Sequence, residues 1–327
     1  MNPVYVFLHL RKTAGSTLKY HLRKNFRPGE IIFINPKSDT HVSVYFEDWQ
    51  KEMTREELAA YLGGLPQNKK DRLRMIFGHR VYSGIHEPLG RPARYITFLR
   101  NPETRTLSHY NWYLEKKIRQ NGSSTKARLT DDHFRAWLQA PESPDNFMTR
   151  VLIESFQSKP STKRELASND LERAKTLLKS FYFVGITEQY DRDAAFLYEQ
   201  FSIIRFFSNQ KISTKYYVPE DREAVAKLIR DKCWIDCDLY AYANHLNQRF
   251  REANKEFARC VGQARRVKRV AARMGTVMRC AGTLKRLPYA VLPERTKRRE
   301  AYDEICQQIR DAVKRVFFRK LARRESR

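Results

Sequence analysis

VYVFLHLRKTAGSTL, residues 4–18, decides the architecture. An apolar run of high strand propensity enters a Lys-Thr-Ala-Gly-Ser-Thr loop and leaves it as the start of a helical pattern. A strand that turns through such a loop into a helix aims several backbone N–H groups at one point, with the positive end of the helix dipole behind them. The segment is therefore a ready site for a phosphate or a sulfate. Lys12 adds a mobile point charge, Ser16 and Thr17 add hydroxyls, and Gly15 lets the backbone come close to a ligand. Lys12 precedes Gly15 by three residues, whereas the nucleotide-triphosphatase loop GxxxxGK[ST] carries its Lys after the last Gly. The spacing points to a different kind of phosphate handling.

A second element lies at residues 94–113, RYITFLRNPETRTLSHYNWY. A strand runs up to Arg100, and Asn101-Pro102 supplies a helix N-cap and a favoured first helical residue. Arg100 then sits at the carboxyl end of a strand, and Ser108 lies not quite two turns into the helix that follows. The pair approaches one anion from adjacent directions, with Arg offering a fork suited to phosphate. Between the two elements, LRMIFGHR (73–80) reads as a short buried strand ending in Gly78-His79. Histidine titrates near neutrality, so it is suited to take the proton of an attacking alcohol.

HLRKTAGSTL (9–18) and RNPETRTLS (100–108) resemble two elements of the sulfotransferases that use 3′-phosphoadenosine 5′-phosphosulfate (PAPS), in the branch that sulfates carbohydrates. Arg11 stands where that branch usually has Pro, and the last two hydroxyl residues run Ser16-Thr17 rather than Thr-Ser. Neither change removes a donor. The resemblance implies that Lys12, Thr13, Ala14, Gly15, Ser16 and Thr17 cradle the 5′-phosphosulfate, and that Arg100 and Ser108 hold the 3′-phosphate. Glycan 2-O-sulfotransferases of this family place Gly-His after the same strand, which implies that His79 is the base. Lys12 then acts with it by neutralising charge on the bridging oxygen. FYFVGITEQYDRDAAFLYEQF (181–201) is similar to a further F-V-G-x-T-E segment of the family, with Glu188 read as a capping residue. PAPS as co-substrate, no metal, and a glycan or glycolipid acceptor follow as expectations. His9, His109 and His133 read as packed or capping residues. Arg150, after Asp145-Asn146, resembles a segment near the acceptor, and Asn209-Gln210-Lys211 through Lys215 reads as a solvated loop.

At 327 residues and 41% apolar, the chain is long enough for a sizeable core. Strand-like runs near 4–10, 74–78, 94–99 and 181–186 alternate with helical patterns, and short helices are expected over 47–70. With the resemblance, this predicts an α/β fold: a P-loop-like three-layer sandwich with a central parallel sheet flanked by helices. Residues 1–254 form the PAPS-binding domain in this reading, and 255–327 a basic amphipathic helical extension. Helical stripes at Leu171, Ala174, Leu177 and Leu178, and at Phe134, Trp137 and Leu138, read as core surfaces.

Charge is concentrated at the C-terminus. Residues 255–327 hold 22 Lys+Arg against 7 Asp+Glu, so they carry +15 of the net +26, and 257–293 contains no acid. Such a helix is compatible with packing on the catalytic domain or with peripheral contact with an anionic membrane. No run of ~20 apolar residues is present to span a bilayer. The first strand begins almost at Met1, and the five cysteines show no metal-ligand spacing. A cytoplasmic enzyme with reduced thiols, peripheral on the inner face of a membrane, is the resulting expectation. Two rival classes are a P-loop-type kinase of nucleosides or small molecules and a non-catalytic basic module for membranes or nucleic acid. The absent GK[ST] loop and the lack of a clear metal-binding Asp after an apolar strand speak against the first. Truncation before residue 255 separates the second, which would lose its main activity; nucleic acid is not an expected partner.

Overall fold

The computed structural model describes residues 2–38, 40–47, 49–121, 129–141, 143–156, 165–201, 203 and 215–262. The stripe at 267–284, the helix expected near 296–324, Asn209-Gln210-Lys211, Cys280 and Cys306 lie outside the described residues.

Val4–Leu8 (β1) is buried on both faces and is the middle of a sheet. Met75–Gly78 (β5) and Ala93–Leu99 (β6) flank it in parallel, with Phe7 beside Phe77 on one side and Ile96 on the other. Ile31–Pro36 (β2) runs parallel to β5, and Phe183–Ile186 (β7) parallel to β6. Among the described residues the sheet has seven strands in the order β4-β3-β2-β5-β1-β6-β7. Its outer pair, Val42–Phe46 (β3) and Trp49–Met53 (β4), is antiparallel, so the sheet is mixed at one edge where an all-parallel sheet was expected. Part of the region expected to hold only short helices is therefore strand. In β4 only Met53 is buried, and Gln50-Lys51-Glu52 face outward, as suits a protected edge.

Helices cover both faces. Val4, Val6 and Leu8 pack toward Arg55–Gly63 (α2), Phe147–Ser155 (α6), Ser168–Ser180 (α7) and Trp234–Ala253 (α10). Phe7 packs toward Gly15–Asn25 (α1) and Tyr190–Gln200 (α8). Alternate residues of one strand thus feed two separate cores, which makes the three layers. Gln67–Arg72 (α3) leads into β5. A third cluster joins Pro102–Asn121 (α4), Asp131–Gln139 (α5) and Arg222–Lys232 (α9), built on Tyr110, Phe134, Trp137 and Ile229. The stripes on α5 and α7 are core surfaces as expected. Residues 255–262 are helical, and Phe257, Cys260 and Val261 still pack into the α1–α8 layer.

All five parallel strands end at the same edge. The chain leaves β1 for β2 on one side, returns through β5, then crosses to β6 and β7. The carboxyl end of β1 is therefore the switch point where open α/β sheets bind ligands. Gly78 closes β5 there for a steric reason: a Cβ on it would fall 2.1 Å from the carbonyl oxygen of Ile34 in β2. Gly78→Ala is expected to cost about 3 kcal/mol, the upper end for overpacking, because backbone must move. Thermal unfolding should fall by roughly 6–12 °C. Gly63→Ala, whose Cβ meets only Pro88 at 3.7 Å, is the control expected to hold its Tm.

Candidate active site

The loop from β1 to α1 has a left-handed backbone at Lys12 (φ 70°) and Ala14 (φ 63°), with Thr13 between them outside that region. Such alternation curls successive N–H groups into an anion-binding nest, and residues held this way mark functional loops. The N–H groups of Gly15 and Ser16 open α1 and have no intrahelical acceptor. No acidic residue sits in the first turn of α1 to compete with an anion. Ser16 is exposed and Lys12 half-buried. The Thr13 hydroxyl donates to the Leu10 carbonyl at 2.8 Å, and the Thr17 N–H donates to the Ala14 carbonyl at 3.1 Å. These two groups shape the loop and are not spare donors.

Gly15 has a cause beyond ligand approach. A Cβ there would lie 2.0 Å from Nε2 of His9, so the His9 ring occupies the space that a side chain at the start of α1 would need.

Arg100, at the end of β6, donates from Nη1 to the carbonyl oxygen of Lys12 at 3.1 Å and from Nε to the Thr104 hydroxyl at 3.1 Å. The second expected element is thereby fastened to the first. Asn101 caps α4 as the sequence suggests, its Oδ1 accepting the N–H groups of Glu103 and Thr104 at 2.9 and 3.3 Å. Glu188 follows β7 and organises the corner. It accepts the Asn101 N–H (3.1 Å), the Thr104 hydroxyl (3.0 Å) and the Tyr240 hydroxyl (2.9 Å), with Arg100 Nε at 3.9 Å. Burial lowers the Arg100 pKa and Glu188 partly restores it. Ser108 is half-buried one turn beyond Thr104, on the same face of α4.

His79 follows β5, and its N–H donates to the Ile34 carbonyl at 3.1 Å. Its Nδ1 lies 2.6 Å from the carbonyl oxygen of His9. A carbonyl only accepts, so Nδ1 carries the proton and Nε2 holds the free lone pair. The ring stacks on His9 with centroids 4.1 Å apart and planes 25° apart. Burial first, then Arg11 and Lys19, push the His79 pKa down to about 4 against a smaller raising effect of the His9 carbonyl. His79 is thus neutral at pH 7, with an acceptor nitrogen ready. It lines a cavity of about 190 Å³ together with Arg11, Arg55, Arg80, Phe147 and Glu154.

Two of the expected elements are therefore fastened to the third, the β1–α1 segment: Arg100 through Lys12, and His79 through His9. Arg55, Arg80 and Glu154 were not singled out in the sequence. Arg80 adjoins His79, but Arg55 and Glu154 arrive from α2 and α6 and carry no local signal. Arg150 makes a two-pronged ion pair with Asp145 (Nη2–Oδ1 2.7 Å, Nε–Oδ1 3.0 Å), which fixes the start of α6. His109 stacks on Trp112, and His133 caps α5 against Thr130. Cys233, Cys237 and Cys260 are free thiols, and no helix among the described residues is long and apolar enough to cross a membrane.

No family model matches the chain. Human heparan-sulfate 6-O-sulfotransferase 2 is 26% identical over 273 residues, which cover 74% of this chain and 44% of that protein. The zebrafish (Danio rerio) heparan-sulfate 6-O-sulfotransferase 2 is 26% identical over 301 residues, 80% of this chain and 62% of its own. Human heparan-sulfate 6-O-sulfotransferase 3 is 26% identical over 272 residues, 75% and 57% respectively. The chain thus spans less than half the length of the first of these relatives. A solved sulfotransferase from Alicyclobacillus acidocaldarius aligns with 76% of this chain and 96% of its own, at 13% identity and a TM-score of 0.36. Over about three quarters of its sequence the chain is thus similar to heparan-sulfate 6-O-sulfotransferases.

Proposed function

We propose that this chain moves a sulfuryl group from PAPS to a hydroxyl of a carbohydrate by in-line displacement. The observation that carries the reading is the pair of bonds to the β1–α1 loop, Arg100 Nη1 to Lys12 O and His79 Nδ1 to His9 O. They tie a guanidinium and a neutral imidazole to backbone carbonyls of the same strand–loop segment, three residues apart. In this reading the N–H groups of Gly15 and Ser16 hold the 5′-phosphosulfate, and Arg100 with Ser108 holds the 3′-phosphate. His79 Nε2 takes the proton of the acceptor hydroxyl as its oxygen bonds to sulfur. The bond from sulfur to the bridging oxygen breaks, and Lys12 neutralises the charge left there. Most of the acceleration is then positioning and electrostatics. Arg11, Arg55 and Arg80 around the His79 cavity suit an acceptor bearing anionic groups, of the kind named in the heparan-sulfate relatives.

Calorimetric titration with 3′-phosphoadenosine 5′-phosphate, the desulfated product, tests the reading against ATP with and without magnesium. Metal-independent binding of the 3′-phosphorylated nucleotide is the expected result. Binding of magnesium-ATP with indifference to the 3′-phosphate would replace the transferase by a kinase.

A further inference from the structure

His9 is the residue through which the base and the donor loop touch, and nothing in the reaction as drawn uses its side chain. It is only 7% exposed. One face of its ring meets His79 at 4.1 Å between centroids, and the ring also lies against Gly15, where a Cβ would approach Nε2 to 2.0 Å. Phe77 lies against it as well, with centroids 5.3 Å apart. A ring held on so many sides has one orientation, and whatever stacks on it inherits that orientation.

We propose that His9 is a positioning residue for the base: its ring, clamped between His79 and Gly15, sets the distance from His79 to the nest and keeps water off the buried face of His79. The proposal rests on the transferase reading for its effect on turnover, but not for its effect on His79 itself. The His9 ring is itself neutral, its pKa held well below the ordinary value by burial and by His79, Lys19 and Arg11. Neutrality matters, because two stacked imidazoles cannot both carry charge at this separation without strong repulsion.

The consequence is a pH signature. A base works while unprotonated, so the acid limb of kcat/KM lies at the pKa of His79, about 4, and turnover falls below it. The largest cause of that low value is burial. Removing the ring in His9→Ala hydrates His79 and moves the limb upward toward the ordinary histidine value of about 6.5. Arg11 and Lys19 stay in place and keep lowering it, and the charged groups that share its cavity, Arg55, Arg80 and Glu154, are unchanged. A rise of about one unit or more is therefore expected rather than a full return. kcat should fall ~10–100-fold through lost aim, with the dissociation constant of 3′-phosphoadenosine 5′-phosphate changed less than about threefold. His9→Phe keeps a planar ring and the backbone carbonyl, and should rescue both the limb and most of kcat.

The experiment pairs pH–rate profiles of the parent, His9→Ala and His9→Phe with NMR titration of histidine-labelled full chain, His79 being assigned by the signal lost in His79→Gln. An upward shift in His9→Ala reversed in His9→Phe is the expected result. A His79 titration unmoved in His9→Ala, or His9→Phe behaving like His9→Ala, overturns the proposal. If His9→Ala does not fold, His9→Phe decides: His79 still titrating near 4 supports the clamp, and titration near 6 overturns it. A parent chain that bound no 3′-phosphorylated nucleotide would overturn the transferase reading instead, and the NMR arm would still decide on His9.

Discussion

If the proposed reaction is right, His79→Ala is expected to lower sulfuryl turnover by ~10²–10⁴-fold, the usual contribution of a positioned general base, while the affinity for 3′-phosphoadenosine 5′-phosphate stays within about threefold. The separation follows from the geometry. His79 meets the β1–α1 segment through the His9 carbonyl and the stacked ring, and the loop itself is closed by Thr13 and Thr17 bonds that do not involve it. Its Nε2 faces the lone-pair role, because Nδ1 is already committed as a donor. Loss of the side chain therefore removes a proton acceptor and leaves the anion site standing. Single-turnover rates at saturating PAPS, beside calorimetric titration of the same protein, measure both quantities. Equal loss of rate and nucleotide affinity would remove His79 from the role of base and make it part of the donor site.

The elements that make up the candidate site were legible in the sequence to the extent that they are local. Strand, loop and helix at 4–18, the Arg-Asn-Pro helix start at 100–102 and the Gly-His end of β5 each occupy a few consecutive residues, where backbone chemistry is set by neighbours. The hairpin β3–β4 was not legible, because its edge strand carries Gln50-Lys51-Glu52 and shows no apolar alternation. Nor was β2, whose Ile31-Ile32-Phe33-Ile34 run is too short to be told from a buried helix segment by pattern alone. The long-range links were hidden for another reason. Arg100 to Lys12 spans 88 residues and Glu188 to Asn101 spans 87, and no spacing rule reports a bond between strands that the topology makes neighbours. Gly15 is instructive: its small size was read as room for a ligand, and the packing adds the His9 ring as a second occupant of that room.

Arg100→Ala weakens binding of 3′-phosphoadenosine 5′-phosphate by roughly 10–100-fold, corresponding to a lost charge-assisted contact worth about 1.5–3 kcal/mol, and affects kcat at saturation much less. Two causes compete for that loss. In the proposed reading Arg100 contacts the 3′-phosphate, but it also holds the carbonyl of Lys12, a residue with left-handed backbone. Adenosine 5′-phosphate separates them, because it lacks the 3′-phosphate and still uses the loop. If Arg100 acts on the 3′-phosphate, its removal leaves adenosine 5′-phosphate affinity nearly unchanged, and the two losses differ by the coupling between the guanidinium and that phosphate. If it acts by bracing the loop, both nucleotides weaken together. Arg100→Lys sharpens the distinction. It keeps a charge for the phosphate but lacks the rigid fork that reaches the Lys12 carbonyl and the Thr104 hydroxyl at once. Partial recovery of selectivity for the 3′-phosphorylated nucleotide is expected from the lysine. Failure to recover affinity for either nucleotide would instead place Arg100 among the residues that build the loop, and move the 3′-phosphate contact along α4 to Ser108.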